Sequence, residues 1–252
     1  MLIDTHTHIN NVKDLDFLLE KCKENRVTEL IAISTDINSS RENIKISKKY
    51  ENIFCAVGFH PCELNSKSQG EISELMSIAS MDECKAIGEI GLDFFHEPFN
   101  KEMQLDLFNS QFTIAEELNK PVIIHCRDAY PETISFIESR RPKVDFVFHC
   151  FTENLTTAKK IIDLGGYLSF TGIITFKKSI ELRNLLKEIP LNSFMIETDS
   201  PYLSPEPYRG KENNSSNLIY IAECVSESLN LSFDRACEVL RENSKRFFNL
   251  WK

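Results

Sequence analysis

The opening stretch, MLIDTHTHIN, sets His6 two residues from His8, directly after a short apolar run. In an extended chain residues i and i+2 face the same way, so both imidazoles can be aimed at one point. Two neutral imidazoles are half of a transition-metal site. Alone, a His-x-His is a weak signal, because a polar strand end with two exposed histidines has the same sequence. Its weight comes from further residues of ligand type. His60, Glu89, His125, His149 and Asp199 each close or follow a short apolar segment elsewhere in the chain. Asp199 also has the chemistry of a general base.

The elements that must position these groups follow from the apolar pattern. Short apolar runs at 1–3, 28–34, 52–58, 84–89, 121–124, 144–148, 167–170 and 194–197 read as strands. Helical spacing separates them at 14–26, 38–50, 71–80, 100–119, 133–139 (from near Pro131), 155–164 and 179–187. Two amphipathic helices, 217–229 and 233–248, follow. Ser232 has the chemistry of an N-cap for the last of these. Strands that read as nearly continuous apolar runs belong to a parallel sheet covered on both faces. The alternation and the length of 252 residues predict an α/β fold, a single-domain (β/α)8 TIM barrel spanning 1–252. No Gly-x-Gly-x-x-Gly or Walker loop supports an open nucleotide-binding sheet instead.

In such a barrel all the C-terminal strand ends converge on one rim, where active sites lie. Five of the six histidines fall at predicted strand ends; His96 does not. That shared placement turns isolated histidines into an expected metal site. His6, His8, Glu89, His125, His149 and Asp199 exceed the four ligands of one tetrahedral zinc and suffice for two divalent ions. The expected division is His6, His8 and Asp199 on one ion, His125 and His149 on the other, with Glu89 bridging. A hydroxide between two such ions is a strong nucleophile at neutral pH, and both ions stabilise charge in an in-line phosphoryl transition state. Glu89 and Asp199 are the expected catalytic carboxylates. The residues leave the metal open among Mg²⁺, Mn²⁺ and Zn²⁺.

The bulk composition bounds the partners. A net charge of −9 excludes a general polyanion-coating surface, but not a nuclease whose ions and local basic groups meet the phosphates. No apolar run reaches membrane-span length, and the N-terminus lacks a secretory pattern. The eight cysteines include no Cys-x-x-Cys pair and read as reduced thiols of a cytoplasmic protein. Cys126 and Cys150 each follow a histidine. Strand alternation points them away from it, as small buried hydrophobes.

With these residues in hand, the chain resembles the TatD-type metal-dependent deoxyribonucleases of the amidohydrolase-like superfamily. The motifs are IDTHTH, VGFHP at 57–61, GEIGLDF at 88–94, PVIIHCRDA at 121–129, FHCFT at 148–152, ITFK at 174–177 and ETDSPYLSPEPYRGKENN at 197–214. The resemblance implies a (β/α)8 barrel, two divalent metals on the six residues named above, and hydrolysis of DNA phosphodiesters, often from the 3′ end. It also implies that His60 contacts a substrate phosphate and that Asp93 and Arg127 support the site. The chain departs from the family pattern at Thr152–Asn154, where a Ser-Gly type turn is usual. It departs again at Phe95, His96 and Glu97, where aromatic and basic residues are usual.

Further substrate groups are read from chemistry. The planar fork of Arg127 suits a phosphate, and an ion pair with Asp93 or Asp128 is the alternative. Arg209 belongs to a local basic rim with Lys177, Lys178 and Lys211, and Tyr202 is placed to stack a base. The expected partner is therefore DNA, single-stranded or at 3′ ends. The competing function is an amidohydrolase-like C–N or ester hydrolase of small molecules. Many such enzymes bridge their metals with a modified lysine, where this chain has Glu89.

Overall fold

The computed structural model describes residues 1–10, 12–63 and 69–251. In chain order the elements are β1 (Leu2–Thr7), α1 (Leu15–Glu24), β2 (Val27–Ile33), α2 (Ile37–Lys49), β3 (Ile53–Val57), α3 (Gln69–Ala79), β4 (Cys84–Asp93) and α4 (Lys101–Leu118). Then come β5 (Val122–Arg127), α5 (Tyr130–Arg140), β6 (Phe146–Phe148), α6 (Leu155–Asp163), β7 (Tyr167–Phe170), α7 (Ile180–Leu185), β8 (Phe194–Ile196), α8 (Leu218–Ser228) and α9 (Phe233–Phe248). The sheet has eight strands in sequence order, and the described pairings between strands are parallel. This is the (β/α)8 order expected from the apolar runs.

Local chemistry sets the helix ends. The side chains of Asp14, Asn100, Asn154 and Ser232 accept backbone N–H groups at the starts of α1, α4, α6 and α9, and Asp36 forms a capping box with Ser39 at α2. Each such cap is worth about 1 kcal/mol. Asn119 and Asn249 stop α4 and α9 in the left-handed conformation, which asparagine tolerates.

The chain forms two compact units. The first comprises Met1–Ala32 and Cys150–Lys252. Within it β1 pairs with β2, Leu2 opposite Val27, and β7 pairs with β8, Leu168 opposite Phe194. A bridge joins Thr7 to Ser200. The bidentate pair of Arg241 on α9 with Glu29 on β2, at 2.6 and 2.5 Å, ties the last helix to the sheet. The second unit is Ile33–His149, holding β3 to β6 in continuous parallel register. Its core is aromatic on the helix side, where Phe108 and Phe112 of α4 pack on Phe136 of α5 with ring centroids 4.4 and 5.8 Å apart.

Three strands run further than their apolar stretches suggest. β1 extends to Thr7, β4 to Asp93 and β5 to Arg127. In β1 and β4 the reason is that the added polar groups are buried with partners. The Thr5 hydroxyl donates to the Ile196 carbonyl, and Asp93 is enclosed by donors. A satisfied polar side chain continues a ladder where an unsatisfied one would end it. Gly91 is needed in the β4 extension. It sits at φ +147°, and a Cβ there would lie 2.0 Å from the His125 carbonyl oxygen of β5.

Candidate metal centre

In the first unit β1 and the segment after β8 bring together His6, His8 and Asp199. The Nε2 atoms of His6 and His8 each lie 3.5 Å from Asp199 Oδ1. The backbone sets this placement. The Asp199 N–H donates to the His6 carbonyl and the His8 N–H to the Ser200 carbonyl, at 2.9 and 2.8 Å. Asp199 takes a positive φ of 52° to make the turn, a conformation aspartate accepts more readily than most residues.

Asp4, one turn of the pleat before His6, is wholly buried. Its carboxylate accepts the Thr198 N–H at 2.9 Å and the Thr198 hydroxyl at 2.6 Å. It thus braces the residue immediately before Asp199. Burial pushes its carboxyl up to about 7, against the opposing hydrogen bonds from Thr198 and Ser215. Thr7 Oγ1 meets Ser200 Oγ at 2.7 Å and accepts from the Ser215 hydroxyl at 3.0 Å. The Asn213 amide donates to the carbonyls of Thr198 and Tyr202. The chain on both sides of Asp199 is therefore held by side chains.

In the second unit Glu89 is the focus. Its Oε1 lies 2.7 Å from His125 Nδ1 and 2.7 Å from His149 Nε2, and those two nitrogens are 3.3 Å apart. His60 Nε2 is 3.7 Å from the same oxygen. Burial opposes ionisation of Glu89 most strongly. The surrounding His149 and His60, with hydrogen bonds from His125 and His149, nevertheless keep its carboxyl well below the usual range. Burial drives His60 the other way, down to about 3, so its ring is neutral. A neutral ring is a ligand or a hydrogen-bonding group rather than a cationic phosphate clamp.

Asp93 supports this cluster. Its Oδ2 lies 2.9 Å from His125 Nε2, which leaves Nδ1 of that ring facing Glu89. A carboxylate on the far nitrogen fixes the tautomer and raises the basicity of a ligand imidazole. Oδ1 accepts the N–H groups of Phe95 and His96, and His96 Nδ1 lies 2.9 Å from Oδ2. Burial works against the charge on Asp93, but the bonds from His125 and His96 hold its carboxyl below the ordinary aspartate range. The opposing effects on His125 are burial, which lowers it, and the Asp93 and Glu89 bonds, which prevail and raise it.

Two positioning residues were not among the sequence candidates. Gln104 and Gln111 lie seven apart on the buried face of α4. The Gln111 amide accepts the Phe59 N–H at 2.7 Å and donates to the Phe59 carbonyl at 3.0 Å, bracketing the residue before His60. Gln104 does the same to Asp93, at 2.8 Å in both directions. The signal was present in the sequence as two amides interrupting the apolar stripe of the longest helix.

The substrate candidates are placed as follows. Arg127 is exposed and its guanidinium lies 3.8 Å from the Phe95 ring centroid, a stacked arrangement rather than the ion pair weighed from sequence. Tyr202 is 63% exposed and edge-on to His8 at 6.3 Å. Arg209 stacks on Phe176 at 4.2 Å. All eight cysteines are free thiols; Cys126 and Cys150 are half-buried rather than buried, and the Cys150 N–H donates to Glu197.

The donor chemistry fits divalent cations. Tetrahedral zinc with bonds near 2.0–2.1 Å separates its nitrogen and oxygen ligands by about 3.3 Å. The described separations within the two clusters, 2.7 to 3.5 Å, are of that order. Buried and half-buried imidazoles converging on carboxylates are what such ions require.

Comparison with known proteins agrees. The E. coli K12 TatD homologue YjjV matches with a TM-score of 0.93 and 25% identity, over 98% of each chain. An uncharacterized metal-dependent hydrolase of Buchnera aphidicola (strain APS) is 37% identical over 99% of both chains. The E. coli K12 uncharacterized metal-dependent hydrolase YcfH is 34% identical, over 99% of this chain and 96% of the relative. Fold and site thus define a metal-dependent hydrolase built on a (β/α)8 TIM barrel. The model of the TatD-related DNase family matches residues 3–249, and the chain belongs to that family. Among the described residues no helix is long and apolar enough to cross a membrane.

Proposed function

We propose that this chain is a divalent-metal-dependent deoxyribonuclease that trims DNA as a 3′-5′ exonuclease. The observation that carries the reading is the donor triangle of Glu89, His125 and His149, in a chain matched along 3–249 by a DNase family. His6, His8 and Asp199 would hold one ion, and Glu89, His125 and His149 another. Bound there, Mg²⁺, Mn²⁺ or Zn²⁺ would supply Lewis acidity to the phosphate and acidify the attacking water.

The chain's own groups do the rest. Glu89 is held ionised by its imidazoles, so it meets a cation without first losing a proton. Asp93 keeps His125 in the tautomer that offers Nδ1. Asp199 accepts the proton of the attacking water. His60, neutral, hydrogen-bonds a phosphate oxygen. Arg127 and Arg209 meet flanking phosphates, and exposed Tyr202 stacks the terminal base.

The test is degradation of a 3′-labelled single-stranded oligonucleotide by purified protein with Mg²⁺ or Mn²⁺. Progressive shortening that EDTA stops is expected. A metal-loaded preparation that leaves DNA intact while hydrolysing an amide or a lactone would place the chain with the small-molecule hydrolases instead.

A further inference from the structure

Beside the Glu89 cluster, Cys62 and His96 are ligand-type side chains that the proposed reaction does not use, and they gather at Asp93, which it does. Cys62 follows β3 and is exposed. Its Sγ lies 3.7 Å from His96 Nδ1, and His96 Nδ1 lies 2.9 Å from Asp93 Oδ2. Ligand atoms of Cys62, Asp93 and His60 also fall within 4.8 Å of one another. A thiol, an imidazole and a buried carboxylate are therefore brought together from two places in the chain, the segment after β3 and the end of β4.

The separations match a soft-metal site. With Zn–S near 2.3 Å and Zn–N or Zn–O near 2.0–2.1 Å, tetrahedral edges are about 3.6 Å between sulfur and nitrogen and about 3.3 Å between nitrogen and oxygen. Sulfur to nitrogen already agrees, and the His96–Asp93 contact has to open by only a few tenths of an ångström. We propose that Cys62, His96 and Asp93 form an additional site for a soft divalent cation, Zn²⁺ in preference to Mg²⁺, with water completing the shell. Binding forms the Zn–S bond as the thiol proton passes to solvent, so no oxidant or further reactant is needed.

The site would have a consequence for the hydrolase. Asp93 is the group that holds His125, so an ion drawing Asp93 toward Cys62 and His96 loosens that hold. Zinc is then an inhibitor acting beside the catalytic ions.

The test is titration of Co²⁺ into full-length protein kept in excess Mg²⁺. A thiolate-to-cobalt charge-transfer band is expected in the wild type, absent in Cys62→Ser and weakened in His96→Ala. Equilibrium dialysis with Zn²⁺ should show one equivalent fewer per chain in Cys62→Ser. No band in the wild type, or an undiminished band in Cys62→Ser, overturns the site. The inhibitory role rests on the nuclease reading. Zn²⁺ should inhibit Mg²⁺-supported oligonucleotide hydrolysis at a concentration about tenfold lower in the wild type than in Cys62→Ser, the factor set by about 1.4 kcal/mol of binding. Equal sensitivity overturns that role. A wild type that cleaves no DNA at all refutes the nuclease reading instead, and the cobalt band still decides the site.

Discussion

Asp4 and Asp93 are both buried carboxylates next to the chemistry, and their environments push them in opposite directions. Asp4 is met by neutral donors, the Thr198 amide and hydroxyl, and burial lifts it to about 7. Asp93 is met by two imidazoles and two backbone amides, and stays charged. Burial alone therefore does not decide the charge of a supporting carboxylate; the kind of donor does. Asp93 delivers a full negative charge to His125 and so acts on the electronics of a ligand. Asp4 acts as a mechanical tie, fixing Thr198 and through it Asp199. The same contrast separates the two clusters. Around Glu89 the groups touch at 2.7 Å, whereas Asp199 stands 3.5 Å from each of its histidines.

The variants that probe this contrast can be ranked by their expected effect on activity. On the proposed reading His125→Ala removes a metal ligand and should lower DNA hydrolysis on the order of a thousandfold; steady-state rates with saturating Mn²⁺ check this. Asp93→Asn keeps the shape and removes the charge. It should reduce metal affinity about 10- to 100-fold while the fold is retained, as read by calorimetric titration. An unchanged affinity would mean that Asp93 is only a tie, like Asp4, and the contrast would collapse.

Gln111→Leu leaves the Phe59 N–H and carbonyl without their bracket. It should cost about 1–3 kcal/mol in urea unfolding, with a smaller loss of activity through His60. Asp4→Asn should change activity least and give the clearest pH signature. The folded-state carboxyl is raised, so its contribution to wild-type stability is present below about 4 and is lost as pH rises through about 7. In metal-free protein the variant should therefore gain on the wild type across that window, by up to about 1.4 kcal/mol per pH unit. A constant difference between the two would show that Asp4 is ionised throughout.

Much of this was readable from residue types, and the limits are instructive. The eight apolar runs identify the strands, because a strand covered on both faces must be apolar where it has no polar partner. Their lengths were not readable, since Asp4 to Thr7 and Glu89 to Asp93 look like loop polarity until Thr198, Ile196 and the histidines are seen to satisfy them. His6, His8 and Asp199 meet within one unit, and Glu89, His125 and His149 within the other. Asp4 has no role assigned from the sequence, and its carboxylate is bonded by Thr198 and Ser215. Gln104 and Gln111 interrupt the apolar stripe in the sequence, but a polar residue there ordinarily reads as a solvent-facing position. Only the backbone groups of Phe59 and Asp93, brought opposite by the fold, reveal why amides are there.

The central claim is that each of the two clusters holds a divalent ion. Elemental analysis of purified, Mn²⁺-equilibrated protein tests it most directly, comparing the wild type with His6→Ala and His125→Ala. The account predicts two equivalents per chain in the wild type and one in each variant. Two equivalents retained in His125→Ala, or a single equivalent in the wild type, would contradict it.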